Sequence, residues 1–217
     1  MKRKLIGIAF VMLVFVAGCS GQSTTEKMYN HLEEAVSLES EFVNQQEPLS
    51  KLEQEEQKIF QEISKLNMDQ FDQITSLADE ALASIEKRRE LLKKEKESIE
   101  AAKKEFDQIN PLVDKLKEAS LKDQASQMQQ AMEDRYNAYI ALHDAYQTSL
   151  DYDQKIYELL KQEELEESTL FDQIEKVNNQ YEKVTEANTI FSENTDAFNE
   201  QKQAFYEATD LDITYEN

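Results

Sequence analysis

The chain has 217 residues, a formal net charge of −21 at pH 7 and a sequence pI near 4.5. So negative a surface repels nucleic acid and other polyanions, which argues against a nucleic-acid partner. Only three glycines and two prolines are present, too few for the tight turns of a hairpin-rich sheet, and the composition therefore predicts an all-α protein.

The first 18 residues are typical of a secretory signal peptide. Positions 2–4 are basic, and 5–15 form an almost wholly apolar run. A membrane-spanning helix needs roughly 20 apolar residues, so this run is too short to span a bilayer. We predict that residues 1–18 are removed, which changes the formal charge to −24 because three positive residues and no negative ones are lost.

The stretch Val16-Ala17-Gly18-Cys19 is similar to the lipobox of bacterial lipoproteins, in which an aliphatic and two small residues precede the cysteine. Cys19 is the only cysteine, so it has no partner for a disulfide and no second thiol for a metal. We expect cleavage between Gly18 and Cys19 and lipid attachment to Cys19. Two acyl chains anchor a protein stably. The predicted location is the cell membrane, lipid-anchored, on its extracytoplasmic face.

Beyond the cysteine, residues 19–25 are predicted to be a short tether, 26–209 a single helical domain and 210–217 a tail. Ser23 with Glu26 fits a capping box at the start of the first rod. Pro48 predicts a break or kink near Glu47. The rod's apolar residues recur at helical spacing, with only Glu56 out of pattern: Tyr29, Leu32, Val36, Val43, Leu49, Leu52, Ile59, Ile63 and Leu66.

Asn67 is predicted to end the first rod and Asp69 to cap the second. The second rod keeps a strict heptad spacing, in which Arg88 and Glu95 are the two charged positions. We expect a kink at 110–111 without a domain boundary. The seam consists of Phe71, Ile74, Ala78, Ala81, Ile85, Arg88, Leu92, Glu95, Ile99, Ala102, Phe106, Ile109, Val113 and Leu116.

The third rod is predicted to start at a cap formed by Ser120 with Asp123. A charged turn at Glu163–Glu167 follows it, and Thr169 with Asp172 is predicted to restart the last helix. The last rod has one apolar residue every seven: Leu170, Val177, Val184, Phe191, Phe198 and Phe205. Its companion positions become polar toward the C-terminus, at Asn188, Thr195 and Lys202.

Four rods of similar length, each about 65 to 70 Å, would fit together as antiparallel neighbours joined by short connections. The predicted fold is an elongated up-and-down bundle with coiled-coil-like heptads. If the break at Pro48 were severe, the first rod would become two short helices on a three-helix core. An even number of rods would return the C-terminus to the lipid-bearing end.

Motifs of catalytic and metal sites are missing from the sequence. His31 and His143 are the only histidines, and neither has the spacing of a zinc protease or di-iron site. No glycine-rich phosphate loop or calcium loop is present. The acidic run at Glu163–Glu167 is interpreted as a solvated turn, with a weak divalent-cation site as the alternative. We expect no enzyme activity, no metal and no cofactor.

The third rod is rich in tyrosine, a residue whose ring can face a sugar while its hydroxyl forms hydrogen bonds. One interpretation is that Tyr139, Tyr146 and Tyr157 belong to the bundle core. The other is a ligand surface for a glycan or peptide. Arg135, at a seam position, fits an ion-paired residue as well as a ligand contact. The candidate ligand surface consists of Arg135, Tyr136, Tyr139, His143 and Tyr152.

Four segments of the mature chain, together with the lipobox, resemble the YkyA-type cell-wall-binding lipoproteins of Gram-positive bacteria: 41–49, 95–99, 135–139 and 198–206. The resemblance implies an extracytoplasmic lipoprotein with an all-helical bundle between membrane and wall. It favours a non-catalytic binding or spacer module, with peptidoglycan or an envelope protein as partner. The alternatives are an envelope hydrolase and an adaptor that docks a partner helix against the last rod.

Overall fold

The computed structural model describes residues 22–211. No β-strand occurs within that range, and the prediction of an all-α protein is confirmed. The predicted signal peptide, the lipobox and most of the C-terminal tail lie outside the described residues. None of the helices between 22 and 211 has both the length and the apolar character that crossing a membrane requires.

Four helical rods form the bundle, each antiparallel to the next and packed against it. The first and last helices of the described range meet at one end of the bundle, which we call the chain ends: the Tyr206 hydroxyl donates to Glu33 Oε1 at 2.7 Å, and the rings of Tyr29 and Tyr206 lie 5.4 Å apart. The up-and-down bundle is confirmed. The helices are α1 (Thr24–Leu38), α2 (Ser40–Ile63), α3 (Phe71–Phe106), α4 (Asn110–Val113), α5 (Ala119–Leu160) and α6 (Glu167–Glu207), with 3₁₀ turns at Met68–Gln70 and Asp107–Ile109.

The start of α1 is fixed by the predicted capping box. The backbone N–H of Glu26 donates to Ser23 Oγ at 3.1 Å, and Ser23 N–H donates to Glu26 Oε2 at 2.6 Å. The cap predicted at Asp69 is wrong. Asn67 has that role, because its side chain accepts from the N–H of Asp69 at 2.9 Å and opens a 3₁₀ turn ahead of α3.

The caps predicted for the third and fourth rods are also wrong. α5 begins directly after Glu118 and α6 directly after Glu166, and neither residue makes a side-chain cap bond. Both residues have extended backbone angles, so the chain turns into each helix before it reaches the predicted cap. Glu167 in the first turn of α6 suits the positive end of the helix dipole.

The break in the first rod lies at Glu39, and the prediction of a break near Glu47 is wrong. Pro48 lies inside α2 and is exposed. Proline has no backbone N–H, so one carbonyl of the preceding turn lacks its helical donor, and water can donate to that carbonyl at an exposed position. A side chain from the second rod supports the observed break. Ser98 Oγ donates to the Leu38 carbonyl at 2.6 Å and accepts from the Phe42 N–H at 3.1 Å.

The interruption in the second rod starts three residues before Asn110. α3 tightens into the 3₁₀ turn at Asp107–Ile109, and α4 then begins with Pro111 in its first turn, where a missing N–H costs nothing. Phe106 and Leu112, on either side of the turn, belong to the same apolar cluster. The core therefore runs through the interruption.

The core has three apolar layers along the bundle. The layer at the chain ends includes Met28, Phe106 and Phe205, the middle layer Ile99, Tyr139 and Phe191, and the distal layer Ile85, Leu92 and Leu150. α2 and α6 contribute the fewest buried apolar residues for their length, and buried glutamines occupy part of the inner face of each. Polar groups therefore make up much of the interior between the middle and distal layers.

Candidate functional site

The two charged seam positions of α3 are both buried. Arg88 is 1% exposed and Glu95 is 4% exposed. A buried charge is costly unless it is paired and hydrogen-bonded. The partners of Arg88 and Glu95 therefore determine the chemistry of this part of the interior.

The Arg88 guanidinium joins three rods. Its Nη2 lies in ion-pair contact with Glu56 of α2 and donates to Asp153 Oδ2 of α5 at 3.1 Å. Its Nη1 donates to the Tyr146 hydroxyl at 3.5 Å, and its carbon lies 5.9 Å from the centre of the Tyr146 ring. All three partners come from outside α3, so Arg88 is a central cross-link of the bundle.

Two tyrosines extend this arrangement to further carboxylates and to the fourth rod. The Tyr181 hydroxyl of α6 donates to Asp153 Oδ2 at 2.7 Å, and the Tyr146 hydroxyl donates to Glu53 Oε1 at 2.7 Å. Every rod thus contributes at least one polar side chain. We name the set the Arg88 network, and it consists of Glu53, Glu56, Arg88, Tyr146, Asp153 and Tyr181.

The network holds more carboxyl groups than cations, and their pKa values reflect this. Burial raises the pKa of Glu56 to about 7, even though Arg88 favours its charged form. Burial also raises the pKa of Asp153, against the lowering effect of Tyr181 and Arg88. The pKa of Arg88 is raised, because its anionic and hydroxyl neighbours outweigh the effect of burial. The guanidinium is charged near neutral pH, and the titrations of the two carboxyl groups that share it, Glu56 and Asp153, are coupled.

Glu95 lies one heptad beyond Arg88 and contacts no described cation. Its Oε1 accepts from the Gln46 side chain of α2 at 2.5 Å. Burial, and to a lesser extent the charge of Glu53, raises the pKa of Glu95 to about 8. Glu95 is therefore mostly protonated at pH 7.

Arg135 of α5 forms a second buried ionic contact in the middle of the bundle. It is 5% exposed, and its Nε donates to Thr195 Oγ1 of α6 at 3.1 Å. Its two terminal nitrogens bind Glu39, at the break between α1 and α2. The guanidinium also lies 5.4 Å from the centre of the Phe191 ring and 5.8 Å from that of Phe198. Arg135 thus connects three rods.

The other predicted ligand-surface residues differ in exposure. Tyr139 is 2% exposed, its ring packs against Phe42, and its hydroxyl has no hydrogen-bond partner. Tyr136 is partly exposed, with Lys103 Nζ 5.7 Å from its ring centre. The His143 ring lies 6.3 Å from that of Tyr139.

Tyr152 lies apart from these residues. It is half-buried, and its carbonyl accepts from the buried Gln173 side chain at 2.9 Å. It is 16 residues from Tyr136 in the same helix, roughly 24 Å along the axis. The structure therefore brings Arg135, Tyr139 and His143 into one region and leaves Tyr152 at another level of the bundle.

The sequence did not predict the partners of Arg88. One signal was present, because Glu56 was the single position out of pattern in the first rod and its charge is opposite to that of Arg88. Asp153 also carried a signal, since it follows Tyr146 by seven residues and so occupies the same heptad position. Tyr181 occupies the companion heptad position of the last rod, seven residues before Asn188.

A shallow, open depression lies on α6 beside the network. Within 22–211, α5 is the only helix whose backbone comes within 8 Å of α6, which leaves this side of α6 uncovered. No group of three or more His, Cys, Asp or Glu side chains in the described part of the chain is arranged to hold a metal. The depression is lined by Asn178, Tyr181, Glu182, Thr185, Glu186 and Thr189.

The four segments that carry the family resemblance approach one another in the fold. Gln46, from the first, bonds to Glu95, from the second, and Arg135, from the third, lies against the ring of Phe198, from the fourth. The segments therefore correspond to contacts between rods, and the fourth segment also contributes Phe198, Phe205 and Tyr206 to the layer at one end of the bundle.

Comparison with known proteins agrees with this resemblance. Residues 23–208 match the model of the YkyA family, described as "Putative cell-wall binding lipoprotein". The chain is 32% identical over 203 residues to the "Uncharacterized lipoprotein YkyA" of Bacillus subtilis (strain 168), covering 94% of this chain and 91% of that protein. A crystal structure of a conserved Staphylococcus aureus protein of unknown function shares the fold, with a TM-score of 0.59 at 11% identity over 87% of this chain and 98% of that one.

Proposed function

The chain belongs to the YkyA family of lipoproteins, and from this premise we propose that it is a non-catalytic binding or spacer module, anchored through a lipid on Cys19 to the extracytoplasmic face of the cell membrane. The predicted lipobox supports the attachment site. The family description names a binding lipoprotein and indicates no enzyme activity. A membrane-anchored envelope location follows from the family itself.

The shape of the bundle is the observation that carries the proposal. Its longest helices, α5 and α6, have 42 and 41 residues, which corresponds to about 60 Å. α1 begins five residues after Cys19, at the same end of the bundle as the C-terminus of α6. A lipid on Cys19 would place this end near the membrane and the connections at 64–70 and 161–166 far from it. Such a rod can hold a binding surface away from the bilayer.

Direct binding to the wall has to overcome like charges. The mature chain has a formal charge of −24, and wall polymers are anionic. Charges are screened beyond ~8 Å at physiological ionic strength but still oppose close contact. Binding would therefore use either divalent cations that bridge carboxylates on both partners, or contacts of uncharged glycan and peptide with the accessible parts of Tyr136, His143 and Tyr152.

Co-sedimentation with purified walls distinguishes these two modes. The lipidated full-length protein, in detergent, is mixed with walls in millimolar calcium or magnesium and again with chelator. Cation bridging predicts loss of binding with chelator. A tyrosine surface predicts little effect of chelator and weaker binding of Tyr136→Ala/Tyr152→Ala. Phe171→Ala is the control, because Phe171 is an aromatic residue that is 59% exposed on α6. Absence of binding under all conditions would exclude direct wall binding.

Envelope hydrolysis is the alternative from a different class. The same incubation separates it from binding, because a hydrolase releases soluble peptidoglycan fragments whereas a binding module sediments with intact walls. Release that exceeds a boiled-protein control would contradict the non-catalytic proposal.

The uncovered side of α6 favours a second binding function, in which the depression beside Tyr181 docks a helix of an envelope protein. A photo-crosslinking residue at position 185 should then capture a defined partner, whereas the same residue at the exposed position 144 of α5 should not. Equal labelling from both positions would contradict docking at α6.

A further inference from the structure

We propose that the Arg88 network, together with Glu95, is a pH-sensitive latch that holds α2 against the distal half of the bundle. The latch is closed when Glu56 and Glu95 retain their protons and opens when these two groups ionise. The opening element is α2, and the break at Glu39 is its hinge.

The first argument is how α2 is held. Its buried side chains are Gln45, Leu49, Glu56 and Ile63, so half of them are polar. α3 is the rod against which its backbone packs most closely. By comparison, α3 buries an apolar or alanine side chain on almost every turn. α2 therefore depends on polar contacts more than its neighbours do.

Those polar contacts are distributed along α2. Gln46 binds Glu95, Glu53 accepts from Tyr146, and Glu56 contacts Arg88. The first and last of these go to α3 and the second goes to α5. All of them involve a carboxyl group, so the attachment of α2 depends on the protonation state of the interior.

The second argument is a count of the charges that face this interior. α2 contributes Glu53 and Glu56, α3 contributes Arg88 and Glu95, and α5 contributes Asp153. The interior thus holds four carboxyl groups and one guanidinium, and two of the four, Glu56 and Asp153, contact it. The neighbouring Arg89 does not supply a second cation, because it turns outward to the exposed side chain of Asp151. The remaining titratable groups are the hydroxyls of Tyr139, Tyr146 and Tyr157 from α5 and of Tyr181 from α6.

Ionisation of the whole set would leave an excess of negative charge in the interior. Glu56 and Asp153 share Arg88, and the charge of Glu53 acts on Glu95. Both repulsions are between α2 and another rod, since Glu53 and Glu56 belong to α2. α3 and α5 would stay together, because Ile85, Leu92 and Leu150 lie in the apolar cluster between them, to which α2 adds only Leu49 and Ile63 as buried residues.

The break at Glu39 allows α2 to move without α1. α1 is fixed by its own apolar residues, including Met28 and Leu32, in the layer at the chain ends. Ser98 and Arg135 bind the break itself. The pKa values of Glu56 and Glu95, raised by burial to about 7 and about 8, place the transition in the neutral to mildly alkaline range. On the external face proposed for this lipoprotein, the latch would respond to the pH of the surroundings.

Hydrogen exchange of the full-length chain in detergent tests the latch. Exchange is measured by mass spectrometry between about pH 6 and about pH 9, corrected for the intrinsic rate. We expect the protection factors of peptides from 46–60 to fall at least about tenfold across this range, because a difference of one pKa unit changes an equilibrium constant by a factor of about ten. Peptides from 26–36 of α1 and 121–132 of α5 should keep their protection.

The variant Glu56→Gln/Glu95→Gln keeps side chains of the same shape and removes the titration. Its α2 protection should no longer depend on pH, whereas Glu55→Gln, an exposed change on the same helix, should behave like the wild type. The latch is overturned if α2 protection in the wild type does not change, or if all helices lose protection together. Unchanged pH dependence in the double variant would also overturn it. The wild-type result alone decides the matter if the double variant does not fold.

Discussion

Arg135 and Glu39 form a two-point ion pair across the bundle, with 2.6 Å between Nη1 and Oε1 and 2.7 Å between Nη2 and Oε2. Paired bonds of this kind fix both distance and orientation. Glu39 is the one residue between α1 and α2, so α5 determines where the first rod is interrupted. Together with Ser98 of α3, Arg135 makes the break a defined joint between two helices.

Ser98→Ala should destabilise the protein by about 1 to 3 kcal/mol, because it leaves the Leu38 carbonyl and the Phe42 N–H without their partner in a partly buried place. The measurement is urea unfolding followed by circular dichroism. Ser84→Ala is the matched control, since Ser84 is equally buried on α3 and its hydroxyl has no partner. Equal losses in the two variants would show that the joint does not depend on Ser98.

Arg88→Met should cost about 3 to 5 kcal/mol near neutral pH, because removing one member of a buried ion pair leaves its partners uncompensated. The cost should shrink below about pH 7, as Glu56 becomes protonated and no longer needs a cation beside it. Arg89→Met is the neighbouring control. Its pairs with Glu86 and Asp151 involve well-exposed carboxylates, so the expected cost is about 0 to 1 kcal/mol. A cost for Arg88→Met that does not vary with pH would contradict the assigned protonation.

Glu95→Gln should make stability less dependent on pH. The pKa of Glu95 is raised in the folded state from 4.5 to about 8, so the native chain binds more protons than the unfolded chain between these values. The free energy of unfolding therefore falls as pH rises through this window, by at most about 1.4 kcal/mol per pH unit for this group, and levels off above it. Urea midpoints from pH 4.5 to pH 9 measure the slope.

Glu90→Gln, an exposed change on the same helix, should leave the slope of the wild type almost unchanged. If the stability of the wild type were constant or rose across the window, a mostly protonated Glu95 would be ruled out.

Cys19→Ala should abolish anchoring and leave the helical content unchanged, since α1 begins only at Thr24. Cell fractionation should find the variant as an unprocessed precursor or in the medium, without label from radioactive palmitate. Ser20→Ala is the control and should be processed and labelled normally. Incorporation of palmitate into Cys19→Ala would contradict the lipobox interpretation.

The sequence predicts well those features that depend on one rod at a time. The heptad spacing of α3 identified Ile85, Leu92 and Ile99, all of which are buried, and the pair Ser23 and Glu26 identified the first cap. These features follow from helical periodicity and local hydrogen bonds, which neighbouring residues determine.

Features that depend on two rods were not predictable in the same way. Glu39 has no helix-breaking chemistry of its own, and the break there depends on residues of α3 and α5. The partner of Arg88 on α5 is 65 residues away in the chain, so spacing alone could not pair them. Among the tyrosines, the spacing assigned Tyr139 but not Tyr136 to the possible core, and Tyr139 is indeed the buried one. The spacing could not predict that the Tyr139 ring packs against Phe42 of the first rod.

Because the number of rods is even, a tag after α6 and an epitope between α5 and α6 would lie at opposite ends of the bundle. α1 starts and α6 ends at the same end of the bundle, so a tag fused after residue 211 would be near the attachment point of the chain. A short epitope inserted at 163–165, between α5 and α6, would lie about 60 Å away. On intact cells an antibody should therefore reach the inserted epitope more easily than the terminal tag, and the difference in staining would measure how deeply the rod is embedded in the envelope.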